Sequence, residues 1–150
     1  MSLLRRILSL EKNTPGKQRL ILDGYNGYGS TNTKIQRFDS IRINVGFSVT
    51  QSVADGDSVK VLESGWYALA FNGTTAGANA YGISINTSQL TTNIQSITSA
   101  DIACYASSAG AVGFNASRTM FLNKYDIVRA HHAGSALTDN GTFLSIERVR

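Results

Sequence analysis

The sequence predicts an all-β domain, built as a sandwich or barrel and preceded by a short basic arm. Apolar and polar residues alternate with a period of two from Arg19 onward, and turn residues separate the alternating runs. The 150 residues include 14 Gly and one Pro, and only 16% are charged, a composition that suits short strands joined by tight turns. No stretch after Pro15 shows a helical period.

The arm is predicted to comprise residues 1–19. Its apolar side chains recur at helical spacing with two arginines off that face, namely Leu3, Leu4, Arg5, Arg6, Ile7 and Leu8. Pro15 and Gly16 end any such helix. Because the stripe is too short for a stable isolated helix, we expect these six residues to dock onto another chain.

Positive charge is concentrated at the start of the chain. Residues 1–42 carry eight basic and three acidic side chains, whereas residues 43–150 carry six and seven. Such an arm suits a negatively charged partner. Nucleic-acid binding by the arm would appear as salt-dependent affinity, but we do not expect nucleic acid as a partner. No apolar run reaches the roughly 18 residues of a spanning helix, so no membrane insertion is expected. No cleavage site follows the first apolar stretch, so no secretory signal is predicted either.

The body is predicted as one domain over residues 20–150. Ile41 to Val49 alternate as one half-buried strand, and further strand signals fall at residues 59–61, 67–71, 81–85, 120–122, 127–128 and 143–149, with a weaker one at 94–97. Turn signals separate them at Asp55-Gly56-Asp57 and Asn72-Gly73. The alternation predicts a core of Ile41, Ile43, Val45, Tyr67, Leu69, Phe71, Ile83, Ile85, Ile127 and Phe143.

Candidate chemistry is sparse, and we predict no catalytic residue, no metal and no cofactor. The glycine-rich stretch from Gly24 to Thr31 has Ser30 where a phosphate loop needs lysine; we interpret it as an ordered surface loop in which Tyr25 and Tyr28 pack the glycines down. Asp55 and Asp57 alone supply too few oxygens for calcium, so a solvated turn is the favoured interpretation.

The two adjacent histidines do not form a metal site by themselves. His131 and His132 point to opposite faces of a strand, and no further ligand lies at a suitable spacing. They are interpreted as ordinary polar residues, although a symmetry axis could gather copies of one of them. Cys104 is the single cysteine and has no neighbouring base; it is expected to be a small buried apolar residue. The sequence does not exclude the paired carboxylates of a carbohydrate-active enzyme, but no motif indicates them.

Three short segments resemble the jelly roll shared by complement globular heads and tumour necrosis factor. Residues 65–71, with Tyr67 and Phe71, are similar to its Gly-x-Tyr-x-Phe strand. Residues 125–128 resemble its Gly-Asp-x-Val turn, with Tyr125 in place of the glycine, and residues 141–144 resemble its last strand. The resemblance covers about residues 40–150 and implies an antiparallel jelly-roll sandwich and a homotrimer.

Two further segments resemble small structural proteins of bacteriophages. They are residues 25–38, beginning Tyr25-Asn26-Gly27-Tyr28, and residues 82–92. The resemblance implies a virion protein made in the bacterial cytoplasm, with the major capsid protein or another virion protein as partner. We therefore expect a capsid decoration or short head-fibre protein that acts by multivalent binding, not turnover.

The alternative expectation is a receptor-binding head at a tail-fibre tip. Exposed Tyr25, Tyr28, Trp66 or Tyr105 would then stack on the rings of a host surface glycan. Tyr25 and Tyr28 are the candidate recognition residues. Glycan binding by the isolated protein separates the two expectations.

Overall fold

The chain folds into two antiparallel sheets of five strands each. The computed structural model describes residues 17–75, 77–110, 113–133 and 141–149. In chain order the strands are β1 (Arg19–Asp23), β2 (Ser40–Val45), β3 (Phe47–Ser52), β4 (Gly56–Val61), β5 (Gly65–Thr74), β6 (Asn79–Ile85), β7 (Ile102–Ser108), β8 (Gly113–Leu122), β9 (Ile127–His132) and β10 (Phe143–Arg148). Two 3-10 helices, Ile94–Ser96 and Ser99–Asp101, lie between β6 and β7.

The strand order is that of a jelly roll. Sheet one runs β2-β1-β10-β5-β8 and sheet two runs β3-β4-β9-β6-β7. Without β2 and β3, the eight remaining strands form two four-stranded sheets, β1-β10-β5-β8 and β4-β9-β6-β7, which is the arrangement of a double Greek key. The predicted all-β sandwich is confirmed. Arg19, which the sequence places at the end of the arm, is the first residue of β1.

The core fills the space between the two sheets. Alternate residues of each strand point inward, and the largest buried side chains are Tyr67, Tyr81, Phe71, Leu20, Leu22, Ile35, Leu69, Ile83, Ile94, Leu122 and Leu144. Five of the predicted core residues are buried: Tyr67, Leu69, Phe71, Ile83 and Ile85. Ile127 and Phe143 are only half-buried, and their neighbours Val128 and Leu144 take the buried positions.

The prediction of one strand from Ile41 to Val49 is wrong. Gly46 adopts a φ of +89°, a conformation that glycine takes without strain, and divides the segment into β2 at the edge of sheet one and β3 at the edge of sheet two. The alternation therefore does not continue across the bend. Ile41 and Val45 are exposed and Ile43 is half-buried, so this part of the predicted core is also wrong.

The weak strand predicted at residues 94–97 is likewise absent. Ile94–Ser96 forms a 3-10 helix, and Ile94 and Ile97 form a small separate cluster with Ala80. Their spacing of three residues fits one helical turn better than a strand. Among the described residues no helix exceeds a single turn, as the sequence predicts. None of the described helices has the length and apolar character needed to cross a membrane.

The turn before β9 contains the Tyr-Asp-Ile-Val segment that resembles the Gly-Asp-x-Val turn of the jelly-roll family. Tyr125 has a φ of +75°, which lies in the left-handed region. This conformation costs a residue with a side chain about 1–2 kcal/mol more than it costs glycine. The Asp126 carboxylate accepts hydrogen bonds from the Asn123 amide at 2.7 Å and from the Asn86 side chain at 2.8 Å. The turn geometry is therefore kept although the glycine is replaced.

Candidate interaction surface

The outer face of sheet one, the face turned away from the core, is the candidate functional surface. Along β5, Tyr67, Leu69 and Phe71 point inward, so the intervening residues point outward. The registers with β8 and β10 extend this face in rows across the sheet. Its central members are Trp66, Ala68, Ala70, Asn72, Asn115, Ser117, Thr119, Phe121, Phe143, Ser145 and Glu147.

The centre of the outer face is a shallow groove built from small side chains. Its volume is about 510 Å³, and its lining includes the small side chains of Ala68, Ala70, Ser117 and Ser145 beside Arg118 and Glu147. The four short side chains leave the sheet open to close approach by another surface.

One end of the outer face carries an aromatic pair. Trp66 and Phe121 lie opposite each other in the β5–β8 register, with ring centroids 6.0 Å apart and planes at 77°. Their exposed fractions are 42% and 46%. Val149, also exposed, extends the row because its amide donates to the Trp66 carbonyl at 2.8 Å. This apolar row is called the aromatic end below.

The edge of the outer face beside β1 is also apolar. β2 pairs with β1 through the register Arg19–Val45 and Ile21–Ile43. Val45, opposite Arg19, is 51% exposed, and Ile43, opposite Ile21, is half-buried. Ile41 is 41% exposed but pairs with the inward-facing Leu22 beyond a register shift, so it does not belong to this row. Exposed apolar side chains thus stand at the aromatic end and at Val45 on the outer face, a pattern typical of protein–protein contact.

Two ion pairs lie on the outer face. Lys17 forms an ion pair with Glu147, and this contact lowers the pKa of the Glu147 carboxyl. Arg42 contacts Asp23 at 2.7 Å between Nε and Oδ2. Surface ion pairs of this kind contribute little stability. The exposed Arg19, which faces Glu147 in the β1–β10 register, adds a further positive charge to this face.

The candidate recognition residues Tyr25 and Tyr28 lie together in the loop after β1. Their rings meet edge-on at 5.8 Å, and the Tyr28 ring meets His132 at 4.8 Å. Burial raises the pKa of the Tyr25 hydroxyl. Both rings are half-buried, in keeping with the interpretation that they pack the loop down. A polar pocket of about 340 Å³ lies beside Tyr28 and is lined also by Ser30 and Lys34.

The arm residues Leu3, Leu4, Arg5, Arg6, Ile7 and Leu8 lie outside the described residues. The described chain starts at Lys17, which is joined to the body by its ion pair with Glu147. The carbonyl of the next residue, Gln18, accepts a hydrogen bond from the Arg148 amide at 2.9 Å. Since Val149 and Trp66 continue this row, the chain enters sheet one at the aromatic end.

The two histidines are structural parts of the core in this chain. Both are fully buried. The His131 ring contacts Ser84 Oγ at 3.1 Å and the Thr92 carbonyl at 2.7 Å. The His132 ring is enclosed by Tyr28, Phe71 and Tyr81. Burial holds the pKa of His132 well below 6.5 and lowers that of His131. Both lie in strand β9, in keeping with their interpretation as polar strand residues, but their complete burial was not expected from the sequence.

The remaining candidates for chemistry are held in structural roles. Asp57 is buried rather than solvated. One carboxylate oxygen accepts the Phe38 amide at 2.8 Å, and burial raises the Asp57 pKa. Burial also raises the pKa of the half-buried Cys104 thiol to about 11, which disfavours the reactive thiolate. Among the described residues no three His, Cys, Asp or Glu side chains cluster as a metal site.

Sequence reasoning identified Trp66 but missed its partner Phe121. The pattern of β5 contains the signal for Trp66, because Tyr67, Leu69 and Phe71 take the inward positions and the alternation leaves Trp66 on the outward side. Phe121 has no such signal, because its row is set by a register with a strand about fifty residues away.

Comparison with known structures places the fold in a known class. The chain is a jelly-roll sandwich similar to structures of the tumour necrosis factor family. Three crystal structures of murine APRIL superpose with it. The structure at pH 8.5 has a TM-score of 0.60 and 16% identity, covering 89% of this chain and 99% of the other. Those at pH 5.0 and pH 8.0 give TM-scores of 0.58 and 0.53, both at 14% identity with the same coverage.

This likeness shows the fold alone. No protein-family model matches the chain, and no curated protein sequence does so either. The resemblance to a tumour-necrosis-factor-like jelly roll predicted from residues 65–71, 125–128 and 141–144 is confirmed as a statement about fold.

Proposed function

We propose that this chain is a non-enzymatic, self-associating structural module of a bacteriophage virion, a capsid decoration or short head-fibre protein. The observation that carries the proposal is the outer face of sheet one, which combines the exposed aromatic end, the exposed Val45 at the β2 edge and a groove with short side chains. The bacteriophage setting is supported by the resemblance of residues 25–38 and 82–92 to phage structural proteins. The partner would be the major capsid protein or another virion protein.

Self-association through this face would form a homotrimer. The face is supported as the contact because Trp66 and Phe121 are large, adjacent and exposed in the single chain. Burying apolar surface stabilises association by roughly 25 cal/mol per Å². The jelly-roll resemblance supports three copies rather than two.

The arm would supply attachment to the particle. Entry of the chain at the aromatic end supports this role, since an assembly through the outer face would bring the arms of several copies together. Multivalent attachment then strengthens weak individual contacts. The apolar stripe of Leu3, Leu4, Ile7 and Leu8 would face the shell, and Arg5 and Arg6 would meet an acidic surface.

The experiment is co-sedimentation with virions that lack the native protein. Full-length chain should sediment with the particles, and deletion of residues 1–12 should abolish this while the circular dichroism of the free protein stays that of a β-sandwich. The double substitution Leu4→Asp and Leu8→Asp should act in the same way with no change in length. Undiminished binding by the shortened chain would show that the body carries attachment, and failure of the full-length chain to bind would overturn the virion role.

A second candidate is a receptor-binding head, the alternative expected from the sequence. It is favoured by the exposure of Trp66 and Tyr105, at 42% and 49%, since flat aromatic rings are suited to stacking on sugars. Binding of the purified protein to a bacterial surface glycan, lost on Tyr105→Ala and kept on removal of the arm, would favour this candidate over capsid decoration.

A further inference from the structure

Two Asn-Gly pairs lie in contrasting environments of the fold. Asn26-Gly27 sits in the loop after β1, with Asn26 exposed. Asn72-Gly73 sits inside β5, between the paired strands β8 and β10. The residue types are identical, so any difference in their chemistry comes from the structure around them.

The Asn26-Gly27 pair combines access with an available nucleophile. Asn26 donates its amide to the Arg37 carbonyl at 2.9 Å, and the Gly27 carbonyl accepts the Arg37 amide at 2.8 Å. Among the described residues, by contrast, the Gly27 amide has no hydrogen-bond acceptor. Apart from the chain neighbours of Gly27, no described heavy atom lies within 4 Å of the position that its Cβ would occupy. The described part of the chain therefore neither engages the Gly27 amide in a hydrogen bond nor fills the space beside this glycine.

The Asn72-Gly73 pair is held in place by contacts with the neighbouring strand β8 and with Thr142. The Asn72 side-chain oxygen accepts the Asn115 amide group, and Gly73 is paired with Phe114 across the ladder. A Cβ at Gly73 would meet Thr142 Oγ1 at 2.7 Å and the Phe114 ring at 2.9 Å. Reaction here requires the strand to open first, and central strands open only at a large fraction of the global stability.

We propose that Asn26 is a site of spontaneous backbone-assisted deamidation, whereas Asn72 is protected. The Gly27 amide nitrogen attacks the side-chain carbonyl carbon of Asn26, a C–N bond forms, and the side-chain nitrogen leaves as ammonia after gaining a proton. Water then opens the five-membered succinimide at either carbonyl, which gives aspartate or isoaspartate. Nothing is oxidised or reduced, and asparagine plus water is converted to the acid plus ammonia.

The modification changes the surface in two ways. It replaces a neutral side chain with a carboxylate and so lowers the net charge of the chain, +4, by one unit. The isoaspartate form also adds one carbon to the backbone between the two hydrogen bonds that tie residues 26 and 27 to Arg37. These changes fall beside Tyr25 and Tyr28, so the loop with the candidate recognition residues would have two chemical states.

The test is peptide mapping by mass spectrometry after incubation of the full-length protein at mildly alkaline pH. Trypsin separates the three Asn-Gly pairs of the sequence, since Asn26, Asn72 and Asn140 fall in residues 20–34, 61–118 and 130–148. Asn26 should deamidate at least about tenfold faster than Asn72, because each 1.36 kcal/mol needed to open the strand slows the reaction tenfold. Equal rates, or reaction at Asn72 first, would overturn the proposal.

Two variants serve as matched controls. Asn26→Gln keeps an amide but lengthens the side chain by one carbon, so the early acidic species that contains the deamidated peptide of residues 20–34 should disappear. Asn72→Gln should leave that species unchanged. In denaturant the rates of Asn26 and Asn72 should converge, since both pairs then have the same local sequence chemistry. If the difference persists in the unfolded chain, the fold is not its cause and the proposal fails.

Discussion

Trp66 provides the sharpest test of the outer face of sheet one as a self-association surface. A tryptophan side chain presents up to about 250 Å², and 42% of Trp66 is exposed. A partner can therefore cover about 100 Å² of it, which corresponds to about 2.5 kcal/mol per copy at roughly 25 cal/mol per Å². Since about 1.4 kcal/mol is a tenfold change in affinity, Trp66→Ala should weaken self-association roughly 50- to 100-fold.

Trp66→Asp should have a larger effect, because association would also remove a carboxylate from water without a partner. The assay is light scattering coupled to size exclusion over a range of protein concentrations, with circular dichroism to confirm folding. Val53→Asp is the matched control, since Val53 is 61% exposed in the turn between β3 and β4 of the other sheet. It should leave the assembly intact.

Two results would refute this reasoning. A wild-type protein that is a clean monomer at micromolar concentration would exclude the trimer, and a dimer would require a different axis. Unchanged assembly of Trp66→Asp, or equal loss in Val53→Asp, would show that the contact lies elsewhere. The fold itself should survive either substitution, because exposed positions away from the core change stability little.

Three further predictions concern the body. Stability should fall as pH drops below 6.5, because the unfolded histidines bind protons that their buried, folded rings bind only at lower pH. His132 contributes up to about 1.4 kcal/mol per pH unit to this slope, and His131 adds to it. Denaturant titrations at several pH values should show the slope flatten in His132→Phe. Phe71→Ala should cost about 3–5 kcal/mol of unfolding free energy, whereas Ile41→Ala should change it by less than about 0.5 kcal/mol, measured by chemical denaturation. At pH 7 Asp57→Asn should be at least as stable as wild type, because it retains an acceptor for the Phe38 amide and removes a buried charge. Asp57→Ala should lose about 1–3 kcal/mol of unfolding free energy, because the Phe38 amide then has no acceptor. Thermal melts of the two variants compare their stabilities.

Part of the candidate surface could be predicted from local pattern. The β5 alternation places Trp66 on the face opposite to Tyr67. Residues 65–71, together with residues 125–128 and 141–144, indicate the jelly roll. The same rule failed at Ile41 and Val45, because Gly46 bends the chain from one sheet to the other and resets which side faces the core. The two-residue alternation of apolar and polar residues indicates that a strand has an apolar side, but it does not indicate which neighbouring strand or sheet that side contacts.

The sequence by itself determined the all-β class, the strand identity of most apolar runs and the concentration of positive charge in the first part of the chain. These depend on residues close in the chain, through alternation and turn chemistry. Tertiary structure decided that Phe121 joins Trp66, that His132 is enclosed by aromatic rings, and that Asp57 is buried. Each of these depends on strand registers between segments far apart in sequence, which local pattern does not encode.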